Sequence, residues 1–131
     1  MGEGADGVVA SRAGAGLTRV LARMAAEISS RGPASSPAAA RELIASSFDL
    51  AIEVAQLRDG RYRVLRVAEI LGTSPDGIQL GEIFSFVADR TAAGGAIEGT
   101  FVPSGNIPRV AETLRTRGIQ VEASLFSRPV R

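Results

Sequence analysis

The chain has 131 residues, of which 45% are apolar, and its 15 basic and 14 acidic side chains leave a net charge of +1. That length suffices for one domain with a real core, while the charge balance gives no support for a nucleic-acid binder, which usually carries a basic excess. All the basic residues are Arg, and Lys, His, Cys and Trp are absent. Their absence excludes a P-loop lysine, a Schiff base, a thiol nucleophile and a Ser-His-Asp triad, and leaves a zinc site without support.

The hydropathy pattern bears on where the protein is found. No run of about 18 uncharged apolar residues exists to cross a bilayer. The acidic start, residues 1–7, has no basic head followed by an apolar core, as a signal peptide would. We therefore expect a soluble cytoplasmic protein without membrane insertion.

Two helices are predicted first. Apolar residues recur at the spacing of one helical face, which predicts an amphipathic helix through Leu17, Val20, Leu21, Met24 and Ile28. A Gly, Pro and Ser connection, 29–37, follows it. Ser36 before Pro37 is typical of an N-cap with proline at the first helical position, and a second helix is expected from Pro37 to about Ser47.

Strand signals begin at Asp49, where the apolar period becomes two and places Leu50, Ile52 and Val54 on one face. The Asp59-Gly60 pair predicts a tight turn into a second, half-buried strand, 61–70. A further turn, 72–77, separates this hairpin from a second one with strands at 79–89 and 96–102. Two consecutive hairpins are therefore expected, and together with the helices they predict a helix-plus-meander architecture.

A third helix should close the chain. Asn106 is the predicted cap of a helix that runs through Arg117, with Gly118 at its C′ position and a short strand, 119–121, after it. The predicted inward-facing residues of that helix are Val110, Ala111 and Leu114. The element order predicts an α+β fold: helices, two β-hairpins and a terminal helix in one domain, residues 1–131.

Several motifs occur in an order that identifies a family. Residues 41–68, RELIASSFDLAIEVAQLRDGRYRVLRVA, combine an arginine-initiated helix, a serine pair, an apolar strand, Leu-x-Asp-Gly and a basic return strand, which Glu69, Ile70 and Gly72 continue. An acidic Ile-Phe-x-Phe segment, 81–86, and a Gly-x-Phe-x-x-x-Gly-x-x-Pro segment, 99–108, follow. Over residues 4–126 the chain resembles the C-terminal portion of the CpaF family, the pilus-assembly ATPases of type II and type IV secretion systems.

The first 16 residues resemble that family's histidine box, which lies beside the terminal phosphate of the nucleotide. Gly4, Asp6 and Gly7 match the frame of the box, but Ala5 and Ala13 stand at its two histidine positions. The same ungapped register brings Leu21 and Arg23 onto the family's next helix. The box is thus present in a degenerate form.

The resemblance implies a division of the chain and a role for it. It implies the C-terminal part of a RecA-like P-loop ATPase domain: a degenerate histidine-box segment (1–16), a helical part (17–48), β-hairpins (49–104) and a terminal helix with a tail (105–131). The family uses ATP and Mg²⁺ in a hexameric motor, but its Walker A and Walker B elements precede the histidine box. The chain alone is therefore expected to bind no cofactor, to have no catalytic or metal-binding residue and to be inactive as an ATPase.

The partners implied by the resemblance are motor subunits of a pilus or secretion system and inner-membrane platform proteins. A homo-oligomer and a peripheral location at the inner membrane fit that role. The candidate subunit-interface residues are Arg19, Arg23, Arg61 and Arg63. Ordinary solvated arginines are the alternative for all four, and a plain helix cap is the alternative to anion binding at Gly14–Gly16.

Two interpretations of the function remain. In one, the chain is a fragment or degenerate paralogue of a secretion ATPase; in the other, it is a free-standing, non-catalytic module that regulates the motor. An in-frame Walker A region directly upstream of Met1 would exclude the second. The first predicts an uncovered apolar face around Leu50, Ile52 and Val54, and self-association through that strand edge.

Overall fold

The computed structural model describes residues 7–32 and 36–129, and within them it shows an α+β fold with three α-helices and a four-stranded antiparallel sheet. The helices are α1 (Leu17–Arg31), α2 (Pro37–Ser47) and α3 (Arg109–Thr116), and a 3₁₀ turn, Ala123–Phe126, follows α3. The strands are β1 (Leu50–Gln56), β2 (Tyr62–Ser74), β3 (Gly77–Thr91) and β4 (Ile97–Pro103).

The chain forms two compact units. The first contains the described residues up to Asp49 together with Ile70–Gln79, and the second contains Leu50–Glu69 and the described residues from Leu80 onward. The prediction of a single domain over 1–131 stays a prediction.

In the first unit, α1 packs against α2. Of the predicted apolar face of α1, Leu17 and Leu21 are buried and the other three residues are half-buried. Ala25, which was not in the predicted set, is buried as well. Helix α2 has its predicted bounds, because Ser36 Oγ accepts a hydrogen bond from the Ala39 N–H at 3.1 Å and satisfies one of the unpaired donors of the first turn.

The strands form one continuous meander in the order β1-β2-β3-β4. The predicted meander is confirmed, and β2 and β3 are longer than predicted, because β2 runs to Ser74 and β3 begins at Gly77. The turn is therefore much tighter than the predicted 72–77. The Ser74 hydroxyl accepts hydrogen bonds from the Asp76 N–H and the Gln79 side chain, so a single polar side chain supports the reversal.

The core of the second unit is a cluster of Ile83, Ala111 and Phe126, against which Val67, Phe84 and Val121 pack. It joins the sheet to α3 and to the 3₁₀ turn. The rings of Phe84 and Phe126 lie 5.8 Å apart, centre to centre. The predicted strand at 119–121 is not formed; the chain turns into the 3₁₀ segment, which brings Phe126 into this cluster.

Helix α3 ends as predicted and begins differently. Gly118 has a φ of 80°, its N–H bonds to the Arg115 carbonyl, and the Ile119 N–H bonds to the Leu114 carbonyl, which is the Schellman arrangement. At the other end, Pro108 is the N-cap residue and Asn106 is not. The Asn106 N–H instead donates to Ser104 Oγ, and the Arg109 N–H of the first turn donates to Glu69 on β2.

Candidate functional site

The segment that resembles the histidine box contacts α1 at Ala13 and Gly14. Gly4, Ala5 and Asp6 lie outside the described residues, and Gly7 is exposed. The Ala13 carbonyl accepts a hydrogen bond from the Arg23 guanidinium. At Gly14, an added Cβ would lie 2.5 Å from Val20 Cγ2. Arg23 thus fixes the main chain ahead of α1 at Ala13.

The four candidate interface arginines differ in their surroundings. Arg19 and Arg61 are exposed. Arg23 holds the Ala13 carbonyl. Arg63 is half-buried and donates to the Ile97 carbonyl at 2.8 Å, with its guanidinium carbon 5.5 Å from the centre of the Phe86 ring, within the range of a cation–π contact. An interface role for these residues stays a prediction, and Arg63 already has a structural role in its own unit.

Asp59 completes a clamp with Arg63 on the backbone of Ile97. Its carboxylate accepts the Ile97 N–H at 2.9 Å and the Arg61 N–H at 3.0 Å. Arg63 binds the carbonyl of the same Ile97. The backbone hydrogen bonds from Ile97 and Arg61 lower the pKa of Asp59 below its ordinary value of 3.8, with a smaller contribution from the charge of Arg63. The clamp ties the β1–β2 turn to the start of β4.

A second long-range contact involves Glu69, the most buried charged residue in the described chain at 8% exposure. Its Oε1 accepts the Arg109 N–H at 2.7 Å and lies 3.5 Å from Arg109 Nε. Arg109 is the first residue of α3, so the carboxylate binds one of the helix's unpaired N–H groups and faces the positive end of its dipole. Sequence analysis placed Glu69 on a strand and missed this role. The available signal was an acidic residue between the apolar Ala68 and Ile70.

Two further acidic residues, Glu82 and Glu98, make separate surface ion pairs. Arg66 pairs with Glu82 at 3.2 Å, and Arg90 pairs with Glu98 at 2.6 Å. Over 7–32 and 36–129, no three His, Cys, Asp or Glu side chains come together where they could hold a metal ion. Likewise, none of the helices in those ranges has the length and apolar character needed to cross a membrane.

A cleft of about 420 Å³ lies within the first unit. Small side chains of α1 make up much of its wall, and Arg41 and Asp76 contribute one charge of each sign. The lining residues on α1 are Thr18, Ala22, Ala25, Ala26, Ser29 and Ser30. The lining residues include no nucleophile paired with a base.

The exposed apolar row of β1 is the feature of the second unit that best fits binding. Leu50, Ile52 and Val54 are 39%, 57% and 55% exposed, as expected from the period-two pattern. Ile52 pairs with Val67, which packs on the Ile83 cluster. Cross-strand partners share a face, so the row lies on the α3 face of the sheet. β1 is also an edge strand. An apolar row at an open edge is a typical protein-binding surface.

Comparison with known proteins does not assign the chain to a family. No family model matches the chain, and no curated protein matches it. The resemblance to the CpaF family therefore depends on the order of the motifs.

Proposed function

We propose that the chain is a non-catalytic segment or degenerate paralogue of a CpaF-type secretion ATPase, and that it contributes protein contacts to a hexameric motor. The exposed apolar row of β1 carries the proposal, because three large apolar side chains on an edge strand favour contact with another protein. The motif order from 41 to 108 supplies the family. The partners are motor subunits in the cytoplasm, at the inner membrane.

The chain's chemistry supports contact over hydrolysis. Phosphoryl transfer depends on a positioned lysine, Mg²⁺ and its acidic ligand, and the sequence contains neither Lys nor His. In the proposed relation to a RecA-like domain, the two helices, the meander and α3 correspond to the part that follows the nucleotide site. The row on β1 is then a surface that a neighbouring part of the motor covers.

The second candidate is a free-standing module that regulates an intact motor. The two long-range contacts in the second unit favour it: the clamp on Ile97 and the Glu69–Arg109 cap hold this unit together through its own residues. The two candidates differ in what the chain does when it is added to a motor.

The test is reconstitution with a purified CpaF-type ATPase. Under the first candidate, the chain restores assembly of a motor truncated before its own C-terminal portion; under the second, it changes the ATPase rate of the intact motor. Co-elution in size-exclusion chromatography is expected in either case. Ile52→Lys should abolish it, while Ile107→Lys should not, because Ile107 has almost the same exposure, 58%, at a different place. Absence of co-elution with both motors would contradict the proposal.

A further inference from the structure

The open edge of β1 has a defined hydrogen-bonding pattern. The Asp49 carbonyl and the Leu57 N–H both bond toward β2. Backbone groups alternate in direction along a strand, so the even-numbered residues of β1 direct their N–H and C=O groups away from β2. These are the residues that carry the exposed apolar side chains: Leu50, Ile52 and Val54. The outward-directed N–H and C=O groups of β1 and its exposed apolar side chains therefore belong to the same alternate residues.

The opposite edge is protected in ways that β1 is not. β4 contains Pro103, which has no N–H to donate, and Gly99, which has no side chain to pack. Its Glu98 is paired with Arg90. β1 has neither Pro nor Gly, and its sequence is LAIEVAQ. An added strand would therefore pair at β1.

We infer that β1 pairs with β1 of a second copy of this chain, antiparallel, around a two-fold axis through Ile52. In that register Ile52 faces its own copy, and Leu50 faces Val54 of the other copy. Six apolar side chains then form one continuous row. A two-fold interface requires such self-complementarity, and the spacing of these three residues provides it.

Charge selects this register among the neighbouring ones. An axis through Glu53 would place the two Glu53 carboxylates opposite each other, and an axis through Ala51 would place Asp49 opposite Glu53. Like charges in directly opposite positions are destabilising. With the axis at Ile52, Glu53 faces Ala51 instead. An axis through Val54 would pair Ile52 with Gln56, whose side chain already donates to the Gly60 carbonyl.

The product would be one continuous sheet of eight strands, because each copy contributes four. The exposed row lies on the α3 face, and paired residues share a face, so both α3 helices would lie on the same side. The net charge of +1 offers little electrostatic opposition to association.

This inference goes beyond the proposed function, because it pairs β1 with a second copy of this chain and not with another part of the motor. The test uses the pure chain, so failure of the dimer and failure of the motor contact are distinguishable. Sedimentation of the wild type should give twice the chain mass of 13.6 kDa at high concentration. Ile52→Lys should be monomeric with an unchanged circular dichroism spectrum, and Ile107→Lys should remain dimeric. If Ile52→Lys does not fold, Ile52→Thr, which keeps a β-branched side chain, takes its place.

Cross-linking tests the register, since the chain has no Cys of its own. A mixture of Leu50→Cys and Val54→Cys should oxidise to a mixed disulfide-linked dimer, because directly opposite residues lie within disulfide range. A mixture of Ile52→Cys and Val54→Cys should not, and its cross-linking would indicate the Glu53-centred register. A wild-type chain that stays monomeric, or a dimer that survives the Ile52 substitution, would overturn the inference. A monomer that still co-elutes with the motor would leave the proposed function intact.

Discussion

Glu69 shows how one side chain determines where an element begins. A helix leaves its first N–H groups without internal partners, and in α3 the Arg109 N–H is satisfied by a carboxylate 40 residues earlier in the chain. The Arg109 side chain, which is largely exposed, adds a weaker ion pair to the same oxygen. The burial of the carboxylate is tolerated because the group is hydrogen-bonded.

Replacing Glu69 should therefore destabilise the second unit. We expect Glu69→Ala to lower the free energy of unfolding by about 2 kcal/mol, since it removes a buried, charged acceptor from the Arg109 N–H. Glu69→Gln, which keeps a hydrogen-bond acceptor, should lower the free energy of unfolding by a smaller amount. Urea denaturation followed by circular dichroism measures both. Glu112→Ala is the matched control, because its pair with Arg115 is exposed on both sides and should contribute about 0.5 kcal/mol or less. Equal losses for Glu69 and Glu112 would rule out the capping role.

Asp59 should make stability depend on pH in the acid range. Backbone hydrogen bonds from Ile97 and Arg61 lower its pKa in the folded state, so its contribution is fully present above the unfolded-state pKa and is lost as the pH falls through the lower folded-state value. The stability gap between wild type and Asp59→Asn should therefore narrow below about pH 3.8. Urea unfolding across that range measures the gap, with Asp76→Asn in another hairpin turn as the control. A gap that does not change with pH would contradict the assignment.

At the scale of elements, the sequence predicted correctly those helix and turn positions that depend on interactions between neighbouring residues. The bounds of α2 follow from Ser36 and Pro37, the first hairpin follows from Asp59-Gly60, and the end of α3 follows from Gly118. Each signal acts within a few residues of the structure it determines.

The errors occurred where distant residues decide the structure. Asn106 was the best local cap, but Glu69 satisfies the helix from β2. Residues 119–121 have strand character, but packing of Phe126 in the Ile83 cluster favours the 3₁₀ turn. One part of the candidate site, the apolar row of β1, was predictable because apolar residues occupy every second position of that strand. The clamp on Ile97 was not, since its donors and acceptors lie 34 and 38 residues apart.

The end of α3 offers a test of backbone conformation alone. Gly118 has a φ of 80° and no atom within 4 Å of an added Cβ, and Gly7 has the same open space without a left-handed φ. Gly118→Ala should destabilise by about 1 kcal/mol because a side chain disfavours that conformation, whereas Gly7→Ala should not. Thermal denaturation compares the pair. Equal melting temperatures would mean that α3 does not end in the Schellman arrangement.

At the scale of the whole molecule, the chain combines surfaces for contact with a composition that lacks Lys and His. Each unit has its own stabilising contacts: the packed helices and the capped α2 in the first, and the clamp, the Glu69 cap and the Ile83 cluster in the second. The open feature of the second unit is the β1 edge. The proposed role in assembly depends on that edge and does not require the chain to bind a nucleotide.

Nucleotide binding is therefore the property that most directly separates the proposed role from that of a complete motor. A ligand that binds only the folded state at about 100 times its dissociation constant stabilises it by about 2.7 kcal/mol, which would raise the melting temperature of a chain of this size by several degrees. We expect MgATP to produce no such rise and no phosphate release above a buffer blank, because the sequence has no Lys to contact the phosphates. Differential scanning fluorimetry and a phosphate assay measure the two quantities, with an intact CpaF-type ATPase as the positive control. A saturable rise in melting temperature, or turnover that co-purifies with the chain and persists through a second column, would show that this chain handles the nucleotide itself.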